Sequence, residues 1–214
     1  MGIRIFATPD PDTAGLNGDG LSDAYDRSDT DAHTLGFNRA KGYTSIADLI
    51  AKIQAILISN PNECLEYIEI YAHGNPRVCN GITINNIATI GTHLKTWHTD
   101  ARLCDEVNIY LTGCNTGVWF AGAESLAQSL SRQTPTEAND NVRINVYGSV
   151  GYLRGNHMKG NTSTSTDATV RHGGQKDYFA PYPSVTDSQG TVHRGSTATQ
   201  GASSYRGFRE GRSI

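Results

Sequence analysis

The sequence predicts an α/β protein: a three-layer α/β/α sandwich with a mostly parallel central sheet, followed by an irregular C-terminal extension. Two observations predict the sandwich. Short apolar runs rich in Ile, Val and Tyr alternate, over residues 1–159, with segments whose apolar residues recur at helical spacing. Strands joined by helical crossovers pair in parallel and need cover on both faces. A third observation predicts the extension. Residues 160–214 hold 8 Gly, 8 Ser and 8 Thr, and their few apolar residues show no period, so they cannot build a core of their own. We therefore divide the chain into a folded domain, 1–159, and a Gly/Ser/Thr-rich extension, 160–214, expected to lie on that domain.

In chain order, Ile3–Ala7 reads as a first strand, stopped by the turn cluster Thr8-Pro9-Asp10-Pro11. A polar loop is expected to about Gly42. Ser45 with Asp48 three residues on marks a helix start, and Ile46, Leu49, Ile50, Ile53 and Leu57 keep helical spacing until Asn60-Pro61. Glu66–Ala72 is the second strand, Ile87–Trp97 a helix and Val107–Thr112 the third strand. Phe120, Ala123, Leu126, Ala127 and Leu130 mark a further helix, and Val142–Gly148 the fourth strand.

Composition excludes several function classes. Eighteen Lys+Arg against 21 Asp+Glu give a net charge of -3 with no basic cluster, so the stripe that neutralises nucleic-acid phosphates is missing. No apolar run approaches the roughly 20 residues that span a bilayer. The start of the chain lacks the pattern of a secretory leader, so a cytoplasmic location is expected, with export by a non-classical route left open. The four cysteines, Cys64, Cys79, Cys104 and Cys114, form no CxxC pair and suggest no zinc site. Most of them are expected to be thiols rather than bridged.

Two strands run straight into chemically reactive residues. Glu66–Ala72 leads into His73-Gly74, and Val107–Thr112 into Gly113-Cys114-Asn115-Thr116-Gly117. Ligands of open α/β sheets collect beyond the carboxyl ends of the strands. If these two strands are neighbours, at about 4.8 Å spacing, a Cys-His dyad results. An imidazole beside a thiol of pKa about 8.5 makes the attacking thiolate available near neutrality. His73 would also supply the proton for a leaving amine. The backbone N–H groups of Gly74 and Cys114 would hold the developing oxyanion. Taken singly, Cys114 reads as a buried thiol and His73 as a loop histidine; their placement at matching strand ends makes the pair.

A hydrophobic strand ending in His-Gly, followed about 40 residues later by one ending in Gly-Cys, resembles the caspase-hemoglobinase fold of clan CD cysteine peptidases. That group includes caspases, metacaspases, gingipains, clostripain and separase. YIEIYAHGNP and VNIYLTGCNTG are most similar to the bacterial CHAT-like and toxin-associated branches. The resemblance covers about residues 3–155. It implies a peptidase acting on a peptide or protein substrate, with His73 and Cys114 as the dyad and no required cofactor. It also implies that substrate lies along Gly148-Ser149-Val150-Gly151-Tyr152, so Ser149, Gly151 and Tyr152 are candidate substrate contacts. By the same resemblance Asp10 or Asp12 would shape a pocket for Arg or Lys before the cut; otherwise both are turn residues. The tail arginines raise self-processing. A non-catalytic interaction module on the same scaffold is the competing class, and an acyltransferase using the same thiol a third.

The acidic loop Leu16–Asp26 adds a candidate Ca2+ site. Asn17, Asp19, Gly20, Asp23 and Asp26 fall at positions 3, 5, 6, 9 and 12 of a calcium loop, although position 1 is Gly15. A solvated acidic loop is the alternative reading. Calcium dependence occurs in relatives such as clostripain and metacaspases.

Overall fold

The structure, a computed structural model, describes residues 2–10, 32–33, 36–113, 116–119, 123–136, 142–149 and 205–214, with four short strand segments at 152–153, 179–180, 185–186 and 192–193. Its first strands are β1 (Ile3–Pro9), β2 (Asn38–Tyr43) and β3 (Leu65–Tyr71), followed by the short β4 (Gly74–Asn75), β5 (Val78–Cys79) and β6 (Ile82–Thr83). Then come β7 (Leu103–Thr112), β8 (Arg143–Ser149), β9 (Tyr152–Leu153), β10 (Phe179–Ala180), β11 (Val185–Thr186) and β12 (Val192–His193). The last two are β13 (Tyr205–Arg209) and β14 (Arg212–Ser213). Three helices are described: α1 (Ile46–Ser59), α2 (Ala88–Thr99) and α3 (Leu126–Ser131).

The fold is α/β around a seven-stranded, mostly parallel mixed sheet ordered β14-β13-β8-β7-β3-β1-β2. The five strands β2, β1, β3, β7 and β8 run parallel, while β13 joins β8 antiparallel. Strand order reverses between β1 and β3, the kind of place where open α/β sheets leave a crevice at their carboxyl edge.

Alternation sorts the sheet residues between two faces. Ile5 and Ala7 of β1, Ile68 and Ile70 of β3, Val107, Ile109 and Leu111 of β7, and Ile144 and Val146 of β8 share one buried cluster with α1, α2 and α3. These three helices therefore cover that face. The opposite face carries aromatics: Phe6, Phe37, Tyr67 and Tyr71 form a second buried cluster with Ala32. It continues as a stacked run through Tyr67, Tyr110 and Tyr147, with ring centroids 5.3 Å and 4.5 Å apart.

Local signals place the helices well. Ser45 caps α1, its hydroxyl accepting from the Asp48 N–H while the Asp48 carboxylate accepts from the Thr44 N–H, a reciprocal cap. At the other end the Arg102 guanidinium donates to the Leu57, Asn60 and Pro61 carbonyls, satisfying acceptors that a helix terminus leaves open.

Four expectations are corrected. The polar loop expected up to Gly42 contains β2, an edge strand with Ala40 and Tyr43 buried and Arg39 and Lys41 exposed; charges suit an edge and hide the strand. The helix expected from Phe120 begins only at Leu126, with Ser125 as its cap, and Ala123 lies before it. The irregular extension ends in regular structure. Here β13 pairs with β8 and buries Phe208 in the core, while the Gly211 N–H donates to Ser131 and its carbonyl accepts from Gln128. Finally, the cysteines are not mostly thiols. Cys64 and Cys104, both half-buried, form a disulfide at the amino ends of β3 and β7; Cys79 is a buried thiol.

The bridge spans 40 residues of sequence, for which chain-entropy arguments give about 4 kcal/mol. Cys64→Ser with Cys104→Ser, or reductant, is expected to lower stability by about 2–4 kcal/mol in urea denaturation. Phe208→Ala is expected to cost about 3–5 kcal/mol in the same measurement, since β13 belongs to the core sheet.

Candidate active site

Strand register sets the site. Ala7 of β1 pairs with Ile70 of β3, Ile70 with Leu111 of β7, and Leu111 with Gly148 of β8. Counting three residues onward from this one row reaches Asp10, His73, Cys114 and Gly151. Strands β3 and β7 are neighbours, as a dyad requires, and the Ala72 N–H extends their ladder by donating to the Thr112 carbonyl at 3.2 Å.

Beyond the strand ends, the two chain segments touch backbone to backbone. A Cβ added to Gly74 would lie 3.0 Å from the Gly113 Cα, and one added to Gly113 would lie 3.1 Å from the Gly74 Cα and the Cys79 sulfur. His73 precedes this contact on one side, exposed, with its carbonyl accepting from the Asn80 N–H. Gly113 leads into Cys114 on the other; Cys114 lies outside the described residues.

The segment after Gly113 is held by Thr116 and Ser149, both fully buried. The Thr116 hydroxyl bonds to the Leu111 carbonyl at 2.5 Å and the Gly113 carbonyl at 3.2 Å, and accepts from the Ser149 N–H at 3.1 Å. The Ser149 hydroxyl donates to the same Gly113 carbonyl, while the Ser149 carbonyl accepts from the Gly117 N–H at 2.9 Å. Gly117 and Gly148 press together so closely that a Cβ on either would overlap the other's backbone. Both segments are also tied to α3, through Leu126 N–H to Pro76 carbonyl and Ala127 N–H to Thr116 carbonyl, at 2.8 and 3.0 Å.

Ser149, expected from the resemblance to be a substrate contact, stands inside the fold. Its hydroxyl, N–H and carbonyl are engaged inside the fold, and Tyr205 of β13 pairs with it at the strand edge. Arg206 stands in register with Gly148, and burial pushes its guanidinium below the ordinary arginine range. Asp10 is half-buried, its N–H donating to the Tyr43 carbonyl, at the end of the strand beside β3. Tyr152 belongs to β9 and pairs with Ala180. Asp12, Asn17, Asp19, Asp23, Asp26 and Gly151 lie outside the described residues; among the described residues no three His, Cys, Asp or Glu side chains gather as a metal site.

Sequence reasoning missed Thr116, although it stands in the quoted GCNTG motif, because a buried hydroxyl's role depends on what surrounds it. It also missed Glu69 and Thr112 below the site. Their available signal was a carboxylate inside an otherwise apolar strand, Tyr67 to Tyr71.

No protein-family model, no curated protein and no solved structure matches the chain.

Because their contacts are backbone to backbone, Gly117→Ala and Gly148→Ala are expected to cost more than about 2 kcal/mol each, the scale of overpacking a filled interior. Thr116→Val, which leaves the Ser149 N–H without its acceptor, is expected to cost about 1–3 kcal/mol. Thermal denaturation checks all three.

Proposed function

We propose that this protein is a cysteine endopeptidase with Cys114 as nucleophile and His73 as its acid-base partner. The observation that carries the reading is the Gly74–Gly113 backbone contact beyond the paired ends of β3 and β7. It brings together segments adjoining a thiol and an imidazole about 40 residues apart in sequence. The resemblance to caspase-like clan CD peptidases fits the same two residues, and the α/β sheet is compatible with it.

In this reading the Cys114 thiolate attacks the scissile carbonyl carbon, and the electron pair of the C=O bond moves to oxygen. Gly74 and Cys114 N–H groups receive that oxyanion. His73 passes its proton to the departing amine as the C–N bond breaks, and water then hydrolyses the thioester with His73 as base. Asp10, on the strand next to β3, offers a carboxylate that would pair with Arg or Lys before the cut. Such a preference would also make Arg194, which precedes β13 in the chain, a candidate for self-processing, whereas Arg206 and Arg209 are held in β13 and Arg212 in β14. Calcium is not needed for any of these steps.

No described helix is long and apolar enough to cross a membrane. The Cys64–Cys104 bridge is typical of oxidising compartments, so we place the activity there rather than in the cytoplasm, against the expectation from sequence.

The test is alkylation and cleavage. With Cys64 and Cys104 bridged and Cys79 buried, Cys114 is the thiol that iodoacetamide should label. His73→Ala is expected to slow labelling at pH 7 by about tenfold or more, and Cys114→Ala to abolish cleavage of Arg- and Lys-containing peptides. Equal labelling of wild type and His73→Ala, with no cleavage, would instead identify a non-catalytic module.

A further inference from the structure

Glu69 is fully buried on the aromatic face of the sheet. Its two carboxyl oxygens each accept a hydroxyl proton, from Tyr67 at 2.9 Å and from Thr112 at 3.0 Å. The Thr112 oxygen lies 3.2 Å from the Tyr205 hydroxyl. Since the Thr112 proton is directed at Glu69, Tyr205 is the donor of that second bond. One carboxyl group thus links β3, β7 and β13 at their shared end, and Thr112 is the last residue of β7, two before Cys114.

Such a cluster is costly to bury unless every polar atom is satisfied, and the neighbouring aromatics show that apolar side chains fit this face. What a carboxyl adds is direction: it fixes the Thr112 side chain and, with it, the path on which the chain leaves the sheet. Thr116 and Ser149 hold the Gly113 carbonyl one residue later. The exit from β7 is therefore gripped at two consecutive residues.

We propose that Glu69 and Thr112 are positioning residues that orient the Cys114 thiol through the end of β7. The inference rests on Cys114 being the nucleophile, and its test separates the two. Glu69→Gln, Thr112→Val and Thr112→Ser are made in the full chain with the disulfide intact. Measurements are the Cys114 alkylation rate at pH 7, kcat and KM for a basic peptide, and the melting temperature.

Glu69→Gln offers one acceptor oxygen where there were two, and Thr112→Val removes the hydroxyl at constant shape. Each is expected to lower kcat about tenfold with KM nearly unchanged and to change the alkylation rate, while Thr112→Ser restores both to within about twofold of wild type. Wild-type kcat and alkylation in a folded Thr112→Val, or a Thr112→Ser as impaired as Thr112→Val, would overturn the proposal. If Thr112→Val does not fold, Tyr205→Phe decides: removing only the outer hydroxyl should lower kcat about two- to threefold, and an unchanged kcat refutes the chain of hydrogen bonds. Should wild type cleave no peptide, the peptidase reading fails by itself, and alkylation alone judges the positioning role.

Discussion

The in-register parallel pairing of β3 with β7 is the constraint on which the rest depends. Backbone hydrogen bonds level Ile70 with Leu111 and Tyr71 with Thr112, so the residues following the two strands emerge at one height. Alternation reinforces that register. A one-residue slip of β3 would turn Ile68 and Ile70 away from α1 and α2 and toward the aromatic face. At the amino end the same pair absorbs an irregularity, with Leu65 opposite Leu103 but Tyr67 opposite Asn108. There the Cys64–Cys104 bridge ties the strands covalently, restoring by a bond what the broken ladder gives up.

Placing two strand ends side by side would not be enough to fix the segments that follow, because loops beyond a sheet lose the ladder's restraint. Here close packing and directed polar contacts take over. Gly74 and Gly113 lack the Cβ atoms that would separate their backbones. The hydroxyls of Thr116 and Ser149 both bond to the Gly113 carbonyl. Buried hydroxyls and a buried carboxyl are tolerable because each finds a partner, and that completeness allows essentially one arrangement. The C-terminal strand contributes from the flank: β13 occupies the outer edge of β8 and brings Tyr205 to Thr112.

Much of the central fold was legible from sequence because β1, β3, β7 and β8 are interior strands, and interior strands carry their burial as apolar alternation. The missed strands are those whose stability is borrowed. β2 has Asn38, Arg39 and Lys41 among its six residues and is a strand because β1 offers it an edge. β13 contains one large core side chain, Phe208, inside a Gly/Ser/Thr-rich stretch. The site shows the same division. His73 and Gly113-Cys114 stood out because reactive types followed directly on strands, whereas nothing local reveals that the edge of Ser149 is taken by a strand 56 residues later.

By itself the sequence determined that β1, β3, β7 and β8 are strands, and that a thiol and an imidazole each follow a strand. These follow from side-chain period and composition, which are local properties. Tertiary structure alone decided that β3 and β7 are neighbours, that Cys64 meets Cys104, and that Glu69 meets Thr112 across the sheet. Each of those is a choice of partner between distant residues, made by the competition of all segments for one core, and no single segment carries that information.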